Sequence, residues 1–235
     1  MNEKDMLFIE HLDEFRKRLI ITLSMFVINL CVAVPFAPFL YEYLVHDYDG
    51  NLALLGLTDV VWIYLSLAGV VAIALTIPIA FYNIWKFIQP ALKEGEATLA
   101  IKYIPSIFIL FCAGISFGYF IVFPTVLNYL MSIAVGNFEM VFTAHKYFET
   151  LFLLTLPFGF LFQLPLVVLF LTRVGILSTS RLERSRKVAY FFLVIITVII
   201  TPPDIISDIL VMVPLLLLYE IGIVISKWGS KRNNK

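Results

Sequence analysis

Charge is what this sequence has least of. Only 14% of its 235 residues are Asp, Glu, Lys or Arg, against about 25% in a soluble domain. The two signs balance at 17 each, which leaves no basic excess for nucleic acid. Cysteine is nearly absent. Cys31 and Cys112 stand apart in apolar runs with no CxxC spacing, and they read as small buried hydrophobes. His11, His46 and His145 fall in separate segments, so no metal site is expected. There is no HExxH, GxSxG, Walker or GxGxxG pattern, and the chain is read as neither an enzyme nor the holder of a cofactor.

Apolar side chains are what fill the sequence: 61% of residues are hydrophobic and the mean hydropathy is +0.95. A soluble fold of this size cannot hide so much apolar surface, and a disordered chain would be poor in it. The runs are long and unbroken rather than short and alternating, which excludes a β-barrel. An all-α integral membrane protein is expected, with uncharged runs at 19–41, 60–85, 103–138, 151–172 and 188–203, and a sixth at 205–225 that carries Asp208 and Glu220 near its ends. The first run is longer than a signal-peptide core and lacks a small-residue cleavage site after it, so it reads as a retained span.

Six spans put both termini on one side. Sixteen of the seventeen Lys and Arg fall on that side and only Lys146 on the other, which predicts N-in, C-in by the positive-inside rule. Trp62 and Trp85 bracket the second span about 34 Å apart. The chain divides into a cytoplasmic amphipathic helix over 1–18, a transmembrane bundle over 19–225 and a basic tail over 226–235. Pro202-Pro203-Asp204 interrupts the last apolar stretch, leaving the fifth span about 21 Å of helix against a roughly 30 Å hydrocarbon core. Asp204 is placed to cap the next helix. One 38-residue kinked helix is the alternative, but it would put the basic tail outside.

Spans one to four hold no charged residue, which argues against a proton-driven solute carrier. A small-solute secondary transporter remains the competing class. It would predict mid-membrane charge and an internal repeat, and the sequence has neither. Gln163 is the main polar group in span four, fitting either helix packing or a functional depression. Pro35 and Pro38 should kink or end span one. The outer carboxylates Glu42, Asp47, Asp49, Asp59, Glu139 and Glu149 read as solvated, or as a cap on the bundle.

Acidic residues stand out on the otherwise basic inner face. Phe8, Leu12, Phe15 and Leu19 recur at helical spacing, so this stretch reads as an amphipathic helix running into span one. Glu14 and Arg18 form an i,i+4 pair that alone could explain both charges. In the second inner loop, Pro90 and Gly95 mark a turn carrying Glu94 and Glu96. Two readings stay open: ordinary solvated helix-end charges, or an acidic pocket with Glu14. Arginine, whose planar fork pairs with carboxylates, would be the natural ligand of such a pocket.

At these residues the sequence resembles the TatC family, the polytopic core of the twin-arginine protein translocase. The match runs through Phe8-x-x-His11-Leu12-x-Glu14-x-Arg16-x-Arg18-Leu19, then Trp85-x-Phe87-x-x-Pro90-x-Leu92-x-x-x-Glu96. It continues in Thr201-Pro202-Pro203-Asp204 and Tyr219-Glu220-Ile221-Gly222. The resemblance implies a concave, glove-like bundle of six transmembrane helices with short fifth and sixth helices, in a prokaryotic cytoplasmic membrane. It implies that Glu96 contacts the twin-arginine motif of signal peptides, with Glu14 nearby, Arg16 shaping the site, and Phe87 and Leu92 lining it. It implies that single-span TatA- or TatB-type partners pack near Thr201, Pro202, Pro203 and Asp204, and that folded cargo crosses on the proton motive force. One departure stands out: the family usually has glutamate where this chain has Gln163, so titration at that position is not expected here.

Overall fold

The computed structural model describes residues 3–45, 52–88, 104–134, 143–173, 175, 177–201 and 205–233. It is helical, with one isolated β-bridge between Ala53 and Thr143 as the other regular feature among the described residues. The chain separates into two compact units, one formed by residues 1–51 and 55–108, the other by 52–54 and 109–235.

In the first unit, α1 runs unbroken from Glu3 to Ala33. The N-terminal charged stretch and the first apolar run are therefore one helix. Pro35 sits in a 3-10 turn, Val34–Phe36, and α2 resumes at Ala37–Val45. The helix is thus deflected, not ended, because proline is tolerated in the first turn of a new helix. α3 spans Leu57–Ile88 and buries Ile63, Leu67, Ala68 and Ala72. In lipid, apolar contact alone gives little drive for helices to associate, so close packing and interhelical hydrogen bonds carry more of the pairing. Two such bonds fix α1 against α3. Asn83 Nδ2 donates to Thr22 Oγ1 at 3.1 Å, and Asn29 Nδ2 donates to Thr76 Oγ1 at 3.0 Å. Seven residues forward on α1 meet seven residues back on α3, so the helices are antiparallel and locked every two turns.

In the second unit, α4 (Ile104–Phe117, from Ile109 on) passes through a π-turn at Gly118–Val122 into α5 (Phe123–Ala134). α6 (Ala144–Leu161) starts on a Thr143 cap that accepts from the Lys146 N–H, while the Ala144 N–H donates to the Ala53 carbonyl at 2.9 Å. Gly114 and Gly118 press directly on α6. A Cβ on Gly114 would lie 2.4 Å from the Phe158 carbonyl oxygen, and one on Gly118 would lie 2.7 Å from the Thr155 Cα. Small residues four apart are what allow backbones this close. Phe111, Phe148, Leu154 and Phe158 fill the buried core of this unit.

The fourth apolar run, expected as a single helix, is broken. α6 ends at Leu161, a turn takes Phe162 and Gln163, and α7 covers Leu164–Arg173. Pro165 has no N–H to continue the α-helical ladder, and the chain tightens just before it. A short α8 (Thr179–Arg184) leads into α9 (Arg186–Ile200), which stops at an extended Thr201. α10 then runs from Ile205 to Asn233. The one-kinked-helix alternative is excluded by the extended Thr201, with ψ 152°.

Among the described residues, five helical stretches are long and apolar enough to cross a membrane: His11–Val45, Leu57–Ile88, Ile104–Ser132, Ala144–Thr172 and Ser207–Lys227. α9, with 15 residues, is about 22 Å long and short of a hydrocarbon core, as expected for the fifth segment. The sixth helix is not short. At 29 residues it continues beyond its apolar portion, because no proline follows Pro214 and the Lys and Arg residues around Gly229 are good helix formers.

Candidate functional site

The end of the first unit where α1 carries its charges and α3 finishes holds the best-defined constellation. His11 lies flat on Phe87, with ring centroids 4.2 Å apart and planes 26° apart. Phe15, one turn along, meets the same ring edge-on at 5.5 Å. Phe87 is thus held from two sides near the last turn of α3. Glu14 sits three residues from His11 on the same side of α1, and its Oε1 accepts from Arg18 Nη2 at 2.7 Å and Nε at 3.3 Å. Among the described residues Oε2 takes no hydrogen bond, so half of the carboxylate remains open to a second guanidinium.

Helix phase separates residues that are neighbours in the sequence. At about 100° per residue, Arg16 and Lys17 lie roughly 140° and 120° to either side of the line formed by His11, Thr22 and Asn29. They face away from α3, around a separate hollow. The structure therefore brings Glu14 and Phe87 to one side of α1 and leaves Arg16 on the other. Leu92, Glu94 and Glu96, and likewise Pro202, Pro203 and Asp204, lie outside the described residues.

The second unit has a polar belt where α8 and the starts and ends of α7, α9 and α10 meet. Arg186 Nη2 donates to Glu220 Oε2 at 3.0 Å, the Tyr190 hydroxyl donates to Glu220 Oε1, and the Tyr219 hydroxyl donates to the Leu182 carbonyl at 2.9 Å. Ser226 bridges Thr172 and Thr179 at 3.0 and 2.8 Å. Lys227 Nζ meets Glu183 Oε1 at 2.6 Å, and its hydrogen bond and charge hold the Glu183 carboxyl below the ordinary carboxylate range. At the opposite end of α9, the Thr201 hydroxyl bonds Asp208, and Thr201 and Ser207 are both buried. Gln163 is also buried, its side-chain amide donating to the Gly159 carbonyl at 3.5 Å while its backbone carbonyl accepts from the Leu166 and Val167 N–H groups. These bonds stitch the turn between α6 and α7.

Sequence reasoning missed several of these contacts. Asn29 and Asn83 are rare polar residues in apolar runs, and Gly114-x3-Gly118 is a close-packing spacing. Both signals were available. The partner of Glu220 was not, since Arg186 is 34 residues away.

Comparison with known proteins gives a consistent result. The family described as Sec-independent protein translocase protein (TatC) matches residues 10–214. The chain is 48% identical over 232 residues to Sec-independent protein translocase protein TatCd of Bacillus subtilis (strain 168), covering 99% of this chain and 96% of that protein. It is 41% identical over 241 residues to TatC of Halalkalibacterium halodurans, covering 100% of this chain and 94% of the relative. A crystal structure titled as the twin arginine translocase receptor TatC superposes with a TM-score of 0.80 at 31% identity, covering 94% of this chain and 99% of that one. A lipid-embedded helical chain matched over nearly its whole length by sequence and by fold belongs to the TatC family of Sec-independent protein translocase proteins.

Proposed function

We propose that this protein is the signal-peptide receptor of a twin-arginine translocase and works by binding, not by catalysis. Glu14, with one carboxylate oxygen open beside the His11–Phe15–Phe87 cluster, is the observation that carries this reading. The carboxylate offers a charge-assisted hydrogen bond worth about 1.5–3 kcal/mol to a ligand arginine. The aromatic cluster offers an apolar seat for the residues beside it. Glu96 and Leu92 complete the site from the segment that follows α3 in the sequence, Glu96 as the principal arginine partner. Arg16 shapes the site indirectly, through the placement of α1.

The lopsided distribution of Lys and Arg supports a cytoplasmic placement of this end, with both termini inside a prokaryotic cytoplasmic membrane. Single-span TatA- or TatB-type partners dock along α9 and α10 near Thr201, Pro202, Pro203 and Asp204. A short α9 locally thins the bilayer there and lowers the cost of bringing in a second helix. The passage of folded cargo draws on the proton motive force. Gln163 takes no part in proton transfer, since an amide does not titrate.

The test is binding of a signal peptide carrying Arg-Arg, against the same peptide with Lys-Lys, to the purified protein. Arginine should bind at least about tenfold more tightly, as two-point pairing with carboxylates requires. Equal binding of the two peptides, or undiminished export of twin-arginine cargo by Glu96→Ala, would overturn the assignment.

A further inference from the structure

On the side of α1 turned away from α3, Asp13, Arg16, Lys17, Ile20 and Ile21 line a shallow, open hollow of about 330 Å³. Its rim is cationic. Arg18 is held by Glu14, but Arg16 and Lys17 have no ion pair among the described residues, and both are exposed. Its floor is apolar: Ile20 and Ile21 are 51% and 39% exposed. Arg18 is the last charged residue before the first uncharged run, so the hollow sits where the membrane–water boundary crosses this helix. Below it the exposed face continues through Val27 and Ile28. From Arg16 to Ile28 is about 18 Å of helix, close to the depth of one bilayer leaflet.

We propose that this hollow binds one anionic glycerophospholipid, its phosphate held between Arg16 and Lys17 and one acyl chain lying along Ile20, Ile21, Val27 and Ile28. Interfacial cations attract anionic lipid in this way, and a guanidinium beside an ammonium gives the phosphate both a two-point and a point-charge partner. Asp13 lies about one turn farther into water than the two cations. It repels a second phosphate and can accept from a hydroxyl of a glycerol headgroup, which favours phosphatidylglycerol over lipids with larger negative charge. Bound there, the lipid fixes the height and rotation of α1, and so the position of Glu14 on the same helix. This site goes beyond the receptor reading and does not depend on it, because lipid binding is measured with no peptide present.

The full-length protein in detergent is titrated with phosphatidylglycerol and with phosphatidylcholine of the same acyl composition, and the lipid-bound fraction is read by native mass spectrometry. Phosphatidylglycerol should bind one copy at least about fivefold more tightly, and the preference should shrink with added salt. The double variant R16Q/K17Q should lose about tenfold or more, the scale expected for two interfacial cations. The charge-preserving R16K/K17R and the remote Lys146→Gln should keep binding within about twofold. Ile20→Asn with Ile21→Asn should weaken the lipid while leaving any binding of inorganic phosphate unchanged. Equal affinity for the two lipids, or a salt-independent preference, overturns the proposal even if R16Q/K17Q does not fold. Unaltered binding by a folded R16Q/K17Q overturns it too. Displacement of the lipid by millimolar inorganic phosphate would make the hollow a simple anion site and reject the acyl-chain component.

Discussion

His11 and Phe87, 76 positions apart in the chain, stack face to face at 4.2 Å and tie the charged end of α1 to the last turn of α3. The stack sets where the Phe87 ring stands relative to Glu14. Replacing Phe87 with Ala removes both the His11 and the Phe15 contacts, and should weaken binding of an Arg-Arg signal peptide by about tenfold, or roughly 1.4 kcal/mol. Phe87→Tyr keeps the ring and should stay within about threefold. Fluorescence anisotropy of a labelled peptide reads both. Equal losses for Ala and Tyr would mean that the ring is not the feature recognised.

The open oxygen of Glu14 leads to a pair of opposed expectations. Glu14→Gln keeps the shape and removes the charge, and should cost about tenfold in peptide affinity. Arg18→Gln frees the second carboxylate oxygen, and should leave affinity unchanged or tighten it a few-fold. If Arg18→Gln were as damaging as Glu14→Gln, the pair would be acting as one structural unit, and Glu14 would not be a ligand group in its own right.

The long apolar helices were legible from the sequence because each is a long run with few or no charges, and such a run in a chain this apolar has few other fates. The break at Gln163 was less so. Pro165 announced a disturbance, but whether proline bends a helix or ends it depends on what the neighbouring residues bond to. The candidate site was only half legible. Glu14 and Arg16 look like one motif because they are two residues apart, yet about 200° of rotation puts them on different faces. The partners of Thr22 and Asn29 depend on the phase of a second helix, which no local pattern encodes. The sixth helix was expected to be short on the strength of family resemblance, while its own residues 226–233 are compatible with helix and continue it.

Gly114 and Gly69 make a matched comparison. A Cβ on Gly114 would collide with backbone at 2.4 Å, whereas Gly69 has nothing within 4 Å of the same position. Gly114→Ala should therefore destabilise the protein by about 1–3 kcal/mol as the α4–α6 contact is forced apart. Gly69→Ala should be neutral or stabilising by up to about 1 kcal/mol, since alanine is the better helix former. Thermal unfolding of the two variants in one detergent distinguishes them, and equal melting temperatures would show that the close approach of α4 and α6 is not required.

The two amide–hydroxyl pairs between α1 and α3 should be additive with each other and coupled within themselves. A double-mutant cycle on Thr22→Val and Asn83→Leu should give a coupling of about 0.6 kcal/mol, typical of interhelical hydrogen bonds in lipid. Asn29→Leu with Thr76→Val should give a similar value. The two pairs are two turns apart, roughly 10 Å, and should show little cross-coupling. Coupling near zero within each pair would leave the antiparallel register to apolar packing alone.

Glu183 and Lys227 set the pH dependence of the α8–α10 contact. The Lys227 hydrogen bond and charge lower the Glu183 carboxyl below its ordinary value. A carboxyl whose folded value lies below its unfolded value stabilises the fold at every pH above the unfolded value, near about 4.3 for glutamate. That contribution fades as pH falls through the lowered folded value, because protonation then breaks the pair. The ion pair is solvent-exposed, so the effect is small and should shrink further in salt. Glu183→Gln should flatten the acid limb of a stability-against-pH curve below about pH 5 and leave the neutral region nearly unchanged. An acid limb of the same steepness in Glu183→Gln would place the proton uptake on another carboxylate.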